Sequence, residues 1–285
     1  MISKEQFEKE IDIIIENAIR EDVGEGDHSS LACIPAGVNG KAKLLVKDKG
    51  ILAGVDFALK VFEKIDPKLK VEVLTQDGEA IESGQIAFYV DGSSQSILKA
   101  ERLVLNAMQR MSAIATKTNT FVKKLEGTET KILDTRKTTP GIRALEKWAV
   151  KIGGGENHRF ALYDMIMLKD NHIDFAGGIT KAINKTQNYL KSNKLDLKII
   201  VEARNLKEIE EILENEGVFR ILIDNFNYED TRQAVKLIDG KCLTESSGGI
   251  NLDTVRKYAE CGVDYISSGA LTHSVYNLDL SLKAM

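Results

Sequence analysis

Residues 133–172 bring together groups that bind anions. They read Leu133-Asp134-Thr135-Arg136-Lys137-Thr138-Thr139-Pro140-Gly141, then Gly153-Gly154-Gly155-Glu156-Asn157-His158-Arg159, then Leu168-Lys169-Asp170-Asn171-His172. Arg136, Arg159 and Lys169 are cationic, Lys137 adds a fourth charge, and each follows or adjoins a short apolar run or a glycine cluster. A solvated charged face would instead space its charges three or four residues apart along a helix. The pattern suits a pocket lined to hold anions. Arginine's donor fork matches planar carboxylates, so a small organic acid is one fitting ligand.

The elements that position these groups follow from the apolar periodicity. After Gly127 the chain alternates strand and helix patterns, with candidate strands at 131–134, 165–169, 198–202, 220–224, 242–246 and 265–268 and helical patterns such as 206–216 and 252–260. The last four strand ends lie about 22 residues apart, the length of a βα unit in a parallel barrel. Six strands are clear; eight are not. In such barrels the chemistry sits at the C-terminal strand ends. Those ends carry Asp134, Lys169, Glu202, Asp224, Glu245 with Ser246, and Ser267 with Ser268. Val201-Glu202 and Ile223-Asp224 place acids where side chains crowd together. The small-residue loops Ser246-Ser247-Gly248-Gly249-Ile250 and Ser267-Ser268-Gly269-Ala270 follow the last two strands, where backbone N–H groups and a following helix N-terminus suit a phosphate. The barrel mouth therefore has two faces. One is cationic, for carboxylates or phosphate; the other is acidic, for hydroxyls or a magnesium ion held through few carboxylates.

Ahead of the barrel, Ser3-Lys4-Glu5-Gln6 reads as a capping box, and Phe7, Ile11, Ile14, Ile15 and Ala18 continue at helical spacing to about Arg20. Residues 21–30 form a polar, glycine-bearing stretch whose acids do not match the spacing of a calcium loop. From 40 to 92 short apolar runs (Leu44 to Val46, Val71 and Val73, Ile86 to Val90) alternate with the turn dipeptides Asp77-Gly78 and Asp91-Gly92. This region reads as a small mixed α/β domain with a helix over 56–65. A long helix, capped at Ser94 or Ser96, runs to about Lys124 and is apolar over much of its circumference, so it is buried on several sides. It joins two domains or meets a partner subunit, and it carries Arg102 beside Glu101.

Composition narrows the class. The 285 residues allow two domains or a barrel with an added one. A net charge of -4 argues against a nucleic-acid binder, so any anion site is made locally. Cys33, Cys242 and Cys261 show neither paired nor metal-type spacing, which fits a reducing compartment. No apolar run approaches the ~20 residues that span a bilayer, and the N-terminus is an acidic amphipathic pattern and not a signal peptide. Together these predict a cytoplasmic protein without membrane or nucleic-acid partners.

With these motifs in view, the sequence resembles the quinolinate phosphoribosyltransferases. The resemblance runs through Glu21-Asp22-Val23-Gly24-Glu25-Gly26-Asp27, Glu101-Arg102-Leu103-Val104-Leu105-Asn106, the Asp134-to-Thr138 motif, Gly153 to Arg159, Lys169 to His172, Asp224-Asn225-Phe226 and Ser267 to His273. It implies an N-terminal α/β, sandwich-like domain (1–110, with the tail 276–285 packing on it) and an open parallel α/β barrel of about seven strands (111–275). It implies the transfer of phosphoribosyl from phosphoribosyl pyrophosphate to quinolinate, with release of pyrophosphate and carbon dioxide and formation of nicotinate mononucleotide. It also implies Mg2+ with phosphoribosyl pyrophosphate, no organic cofactor, and a homodimer with shared active sites or a larger assembly of dimers. Carried over by motif, Arg136, His158, Arg159 and Lys169 surround the quinolinate carboxylates, with Arg102 reaching in from the neighbouring subunit, and Thr135 is a further substrate-binding residue. Lys137 contacts phosphoribosyl pyrophosphate. Glu202 and Asp224 hold the ribose and the metal, and Ser247, Gly248, Gly249, Ser268, Gly269 and Ala270 take the 5′-phosphate. Glu202, Asp224 and Lys137 are the groups implied to act in catalysis.

Three other readings compete. A related same-fold family from molybdenum-transport operons shares the Arg-Lys and His-Arg core. A non-catalytic carrier of a small diacid would not need Glu202 and Asp224. A sugar-phosphate lyase or isomerase would not need four cations beside the phosphate loops. His28 and His273 receive no role, and His172 either faces the pocket or packs beneath it.

Overall fold

In the computed structural model, which describes residues 2–285, Ser3 Oγ accepts the Gln6 N–H at 3.1 Å and opens helix α1 (Lys4–Val23). Ile11, Ile14 and Ile15 form its buried stripe, and Phe7 packs edge-on against Trp148 with ring centroids 5.5 Å apart. The helix passes Arg20 and ends at Gly24, whose φ of 52° a residue with a side chain rarely adopts. Residues 21–30 are therefore not a single loop. Asp27 caps a further short helix, α2 (His28–Cys33), by accepting the Ser30 N–H at 3.1 Å.

Next come β1 (Asn39–Val46), β2 (Gly50–Ile51), α3 (Val55–Ile65), β3 (Lys70–Val73), β4 (Ala80–Ile81) and β5 (Ile86–Ser93). Asp77-Gly78 does make a turn, and Asp77 Oδ1 accepts the Val55 N–H at 2.8 Å, satisfying an orphan donor at the start of α3. Asp91-Gly92 is not a turn: both residues lie within β5, paired with Lys41 and Gly40 of β1. Gly92 has φ +143°, which residues with a side chain rarely adopt, and a Cβ there would also sit 2.8 Å from the Leu69 side chain. The sheet is antiparallel, with Leu44 of β1 opposite Phe88 of β5. One face buries Ala42, Leu44, Val46, Phe88 and Val90, the period-2 alternation of a half-buried sheet. Phe62 of α3 meets Phe88 edge-on at 5.8 Å. Each such fully buried phenylalanine contributes about 1.5–3 kcal/mol relative to exposure.

Helix α4 (Ser94–Leu125) covers the predicted span. Val104, Met108, Met111, Ile114 and Ala115 are buried by this chain itself, so the apolar circumference by itself does not call for a partner. Leu98, Arg102 and Asn106 form an exposed strip at four-residue spacing.

Six parallel strands follow: β6 (Lys131–Leu133), β7 (Ile166–Leu168), β8 (Ile199–Ala203), β9 (Val218–Asp224), β10 (Leu243–Ser247) and β11 (Tyr265–Ser267). They hydrogen-bond in the order β6-β11-β10-β9-β8-β7, and β6 and β7 are the free edges of an open α/β barrel. An isolated parallel bridge between Leu133 and Glu156 lies at the β6 edge but is not a strand, so the sheet has six strands where about seven were expected. The intervening helices are α5 (Arg143–Ile152), α6 (Asp170–Ala176), α7 (Ile179–Asn193), α8 (Leu206–Leu213), α9 (Tyr228–Ile238), α10 (Val255–Ala259) and α11 (Ala270–His273). A last strand, β12 (Leu280–Ala284), pairs antiparallel with β1, Leu282 opposite Leu44.

The chain forms two compact units. One comprises Thr120–Lys137 and Gly155–Ala270 and contains the six-stranded sheet; the other comprises Ile2–Asn119, Thr138–Gly154 and Leu271–Met285. The division does not fall at one point of the chain, because α4 runs through it as a single helix and α5 and β12 belong with the N-terminal sheet.

Candidate active site

Strand alternation decides which side chains share the barrel interior. In the register, Arg220 opposes Leu243, Leu222 opposes Glu245 and Asp224 opposes Ser247, so these residues lie on one face of the sheet. Glu202 of β8 is level with Leu222 and joins that face. Tyr265 opposes Glu245 and continues it into β11.

Asp134 follows directly on β6 and is fully buried. Its carboxylate accepts the His158 N–H at 2.8 Å and Asn157 Nδ2 at 2.6 Å. A charged acceptor with two directed donors is a strong tie, and it fixes the Gly155-to-Arg159 segment against β6. Thr135 Oγ1 accepts the Lys137 N–H at 3.0 Å, shaping the turn that presents Arg136 and Lys137. Lys137 is exposed.

Arg159 is 7% exposed, and its Nη1 donates to Met165 O at 3.2 Å. Burial holds its pKa below the ordinary value, the Arg136 cation adds to that, and Asp164 opposes both. Arg136 Nε is buried with no hydrogen-bond partner among the described residues. Two guanidiniums thus repel each other in a partly desolvated place, an arrangement that an anion would relieve. Lys169, exposed at the end of β7, stands on the border between the two faces. Its charge and the Asp170 N–H pull the Glu202 carboxyl down. Burial first, and then the Asp224 charge, push it up more, and the net shift is above the ordinary value. The acidic face is therefore as real as the cationic one.

The two small-residue loops differ from each other. Gly248 has φ +95°, and a Cβ there would lie 2.1 Å from Asn225 Oδ1, so the loop passes directly over Asn225. Asn225 itself holds a positive φ of 59°, donates its N–H to Ser247 O at 2.9 Å and gives Nδ2 to Asp224 Oδ2 at 2.6 Å. Gly249 is exposed and open. The helix after this loop begins only at Val255, beyond a turn held by Asn251 and Thr254, and is shorter than the sequence pattern suggests. In the second loop, Ser268 N–H donates to Leu133 O at 3.1 Å and its Oγ to Ile250 O at 3.1 Å. Ser268 thus spends its own donors on the chain, while Gly269 and Ala270 follow it half-buried.

All the sequence-predicted site residues except Arg102 fall in the barrel unit; His158 and Arg159 lie in the stretch between α5 and β7, and the others sit at or just beyond the C-terminal strand ends. Arg102 lies on α4 in the other unit, exposed and without an ion-pair partner among the described residues. His172 is exposed, and its Nδ1 accepts the Lys169 N–H at 3.1 Å, which satisfies a backbone donor where α6 begins. Sequence reasoning gave no role to Asn157, Asn225 or Arg220. For Arg220 the signal was present: the alternation Arg220, Leu222, Asp224 places it on the same face as Asp224.

Two family descriptions match the chain: the quinolinate phosphoribosyl transferase N-terminal domain over residues 27–112 and the C-terminal domain over residues 114–283. A chloroplastic nicotinate-nucleotide pyrophosphorylase (carboxylating) of Oryza sativa subsp. japonica is 46% identical over 285 residues, covering 95% of this chain and 76% of that protein. A probable nicotinate-nucleotide pyrophosphorylase (carboxylating) of Methanocaldococcus jannaschii is 40% identical over 278 residues, covering 94% and 95%. The crystal structure of NadC from Streptococcus pyogenes superposes with a TM-score of 0.90 at 38% identity, covering 100% of this chain and 99% of that one.

Proposed function

This chain belongs to the quinolinate phosphoribosyltransferase family, and from that premise we propose a division of labour within its barrel mouth. The enzyme transfers phosphoribosyl from phosphoribosyl pyrophosphate to quinolinate, with decarboxylation, to give nicotinate mononucleotide for NAD synthesis. The observation that carries the assignment of faces is the repulsion between Arg136 and the buried Arg159. With Lys169 they suit the two carboxylates of quinolinate, and Lys137 next to Arg136 suits the diphosphate of the second substrate.

The pyridine nitrogen attacks the anomeric carbon, the bond to pyrophosphate breaks, and positive charge builds on the ribose ring. Glu202 and Asp224, on the opposite face, stabilise that charge and bind the ribose hydroxyls. No protein nucleophile takes part. Loss of carbon dioxide then leaves an electron pair next to a ring nitrogen that is already cationic, so the substrate is its own electron sink, and a proton from water completes that ring carbon. The protein supplies position and charge balance.

A magnesium ion brought in with the diphosphate would neutralise charge on the leaving group. Glu202 and Asp224 fit such an ion, since one or two carboxylates plus substrate oxygens are its usual holders. Gly248 and Gly249, with Ser247, and Gly269 and Ala270 in the second loop, serve the 5′-phosphate. The active unit is a homodimer in which Arg102 enters the partner's quinolinate pocket. Its support is the exposed strip Leu98, Arg102, Asn106, where Leu98 is 42% exposed. The setting is cytoplasmic: all three cysteines are unpaired, and no helix among the described residues is long and apolar enough to cross a membrane.

Calorimetry of quinolinate binding beside turnover at saturating magnesium tests the faces. Glu202→Gln and Asp224→Asn should cut turnover and leave quinolinate affinity nearly intact. Loss of quinolinate binding with normal turnover would put the acids in the wrong half.

A further inference from the structure

Glu146 is a fully buried carboxylate on α5 that takes no part in the transfer chemistry above. Its Oε1 accepts Arg110 Nη2 at 2.8 Å, Arg110 Nε at 3.0 Å and the Thr139 hydroxyl at 2.8 Å. Its Oε2 accepts the Thr139 N–H at 3.0 Å. Arg110, on α4, makes one more bond: Nη2 donates to Thr272 O at 2.6 Å. Thr272 is fully buried in α11, and its oxygen is one of the last carbonyls of a four-residue helix, which find no partner within the helix. Arg143 Nε, beside this group, donates to Thr138 Oγ1 at 2.9 Å. All these residues belong to one compact unit.

A buried ion pair is weak evidence for stability, because well-packed apolar residues of the same size do as well. What this pair supplies is direction, and what it directs is two loop ends. Asp134 to Thr139 lies in neither helix nor strand and carries Arg136 and Lys137. Asp134 holds the first end of this loop through Asn157 and the His158 N–H. Glu146 holds the last end through both donors of Thr139, two residues beyond Lys137. Thr272 likewise stands two residues beyond Ala270, which closes the Ser268-Gly269-Ala270 loop. One guanidinium therefore ties the exits of both loops. With about 3.8 Å between consecutive Cα atoms, slack at Thr139 or Thr272 reaches Lys137 or Ala270 within two peptide units.

We propose that Arg110 and Glu146 are positioning residues for phosphoribosyl pyrophosphate: through Thr139 and Thr272 they clamp the loop that carries Lys137 and the loop that takes the 5′-phosphate. This rests on the reading of those two loops under the proposed function, and deepens it. Quinolinate depends less on the clamp, because Arg159 and Lys169 lie on neither loop and Arg136 is nearer the Asp134 anchor.

The test is steady-state kinetics of two variants, each KM measured with the other substrate saturating, beside Tm from scanning calorimetry. Arg110→Lys keeps the cation but not the fork, so it reaches Glu146 or Thr272 and not both. Its KM for phosphoribosyl pyrophosphate should rise about tenfold to a hundredfold, the cost of misplacing binding groups by up to about 1 Å. Its quinolinate KM should rise by no more than about threefold. Thr139→Val changes an exposed residue, keeps the N–H bond to Glu146 and leaves the buried pair in place. It should raise the phosphoribosyl pyrophosphate KM about threefold, as for one lost hydrogen bond. A merely structural role would lower Tm without this split. Equal rises in both KM values, or an unchanged phosphoribosyl pyrophosphate KM in both variants, overturn the proposal. Hydrogen exchange read by mass spectrometry supplies a readout free of substrate: in Arg110→Lys, peptides spanning 134–142 and 268–274 should exchange faster than in the wild-type protein, and unchanged exchange in both overturns the clamp. Lys137→Ala separates the two claims. If it leaves the phosphoribosyl pyrophosphate KM unchanged, the reading of Lys137 fails, and the exchange of the two loops still decides the clamp.

Discussion

Substituting Gly248 and Gly249 by alanine, one at a time, separates backbone strain from loss of a contact. Both have positive φ, +95° and +61°, so both alanine variants carry the left-handed penalty of about 1–2 kcal/mol. Only at Gly248 does the new Cβ collide: it would fall 2.1 Å from Asn225 Oδ1 and 2.9 Å from Asn225 N, while nothing lies within 4 Å of a Cβ at Gly249. Asn225 must then move, losing its bond to Ser247 O and the charge-assisted bond to Asp224 Oδ2. Those two add about 2–4 kcal/mol to the Gly248→Ala cost. At about 2–4 °C per kcal/mol for a chain of this size, Gly249→Ala lowers Tm by a few degrees and Gly248→Ala by at least twice as much. Asn225 also holds Asp224, so Gly248→Ala alone should lower kcat with phosphoribosyl pyrophosphate saturating. Scanning calorimetry and steady-state kinetics on the two variants decide it. Equal Tm losses, or an unchanged kcat in Gly248→Ala, refute the reasoning.

Arg159→Leu should weaken quinolinate binding by roughly 2–5 kcal/mol, as for truncating one partner of a buried charge pair, measured by calorimetry. Arg102→Ala and Arg159→Ala should each be nearly inactive, and co-refolding them in equal amounts should restore roughly a quarter of wild-type activity, since random pairing gives half mixed dimers with half their sites intact. No recovery, with mixed dimers seen by native mass spectrometry, would place Arg102 outside the partner's site. Glu146 is fully buried and takes Arg110 Nη2 at 2.8 Å and Nε at 3.0 Å. Arg110→Ala removes the cation from that buried carboxylate, leaving only the Thr139 N–H and hydroxyl as donors among the described residues, and should cost about 3–5 kcal/mol in denaturant unfolding. Glu202's folded pKa lies above its ordinary 4.5, so the folded state binds its proton more tightly, and the group costs stability as pH rises from 4.5 through the folded value. Glu202→Gln should therefore raise Tm at pH 7.5, lose that gain below about pH 4, and abolish most turnover; a lower Tm at pH 7.5 would contradict the shift.

Much of this was legible because it rests on local rules. Ser3 capped α1 as its spacing requires, the six barrel strands fell within a residue or two of the apolar runs, and the strand ends named the polar mouth. What stayed hidden depends on partners distant in sequence. Asp91-Gly92 looks like a turn until its pairing with Lys41 and Gly40 of β1 is seen. The short helix after Asp27 is the exception, since its cap is local: Asp27 accepts the N–H of Ser30, three residues on. The contact between His158 and Glu245 joins residues 87 apart, and only the register that sets Glu245 on Arg220's face brings it about. The burial of α4 was legible, and of its two readings, joining domains or meeting a partner, the chain itself bears out the first, since the helix runs through both units.

The central claim is that the mouth takes a dicarboxylate and transfers ribose phosphate to it. The most direct measurement follows nicotinate mononucleotide, carbon dioxide and pyrophosphate together on mixing the protein with phosphoribosyl pyrophosphate, magnesium and either quinolinate or nicotinate. With quinolinate the three products should appear in equal amounts; with nicotinate, which lacks the second carboxylate for Arg136, Arg159 and Lys169 to share, no nucleotide should form. Turnover of nicotinate at the same rate, or pyrophosphate release from quinolinate without carbon dioxide, would contradict the account.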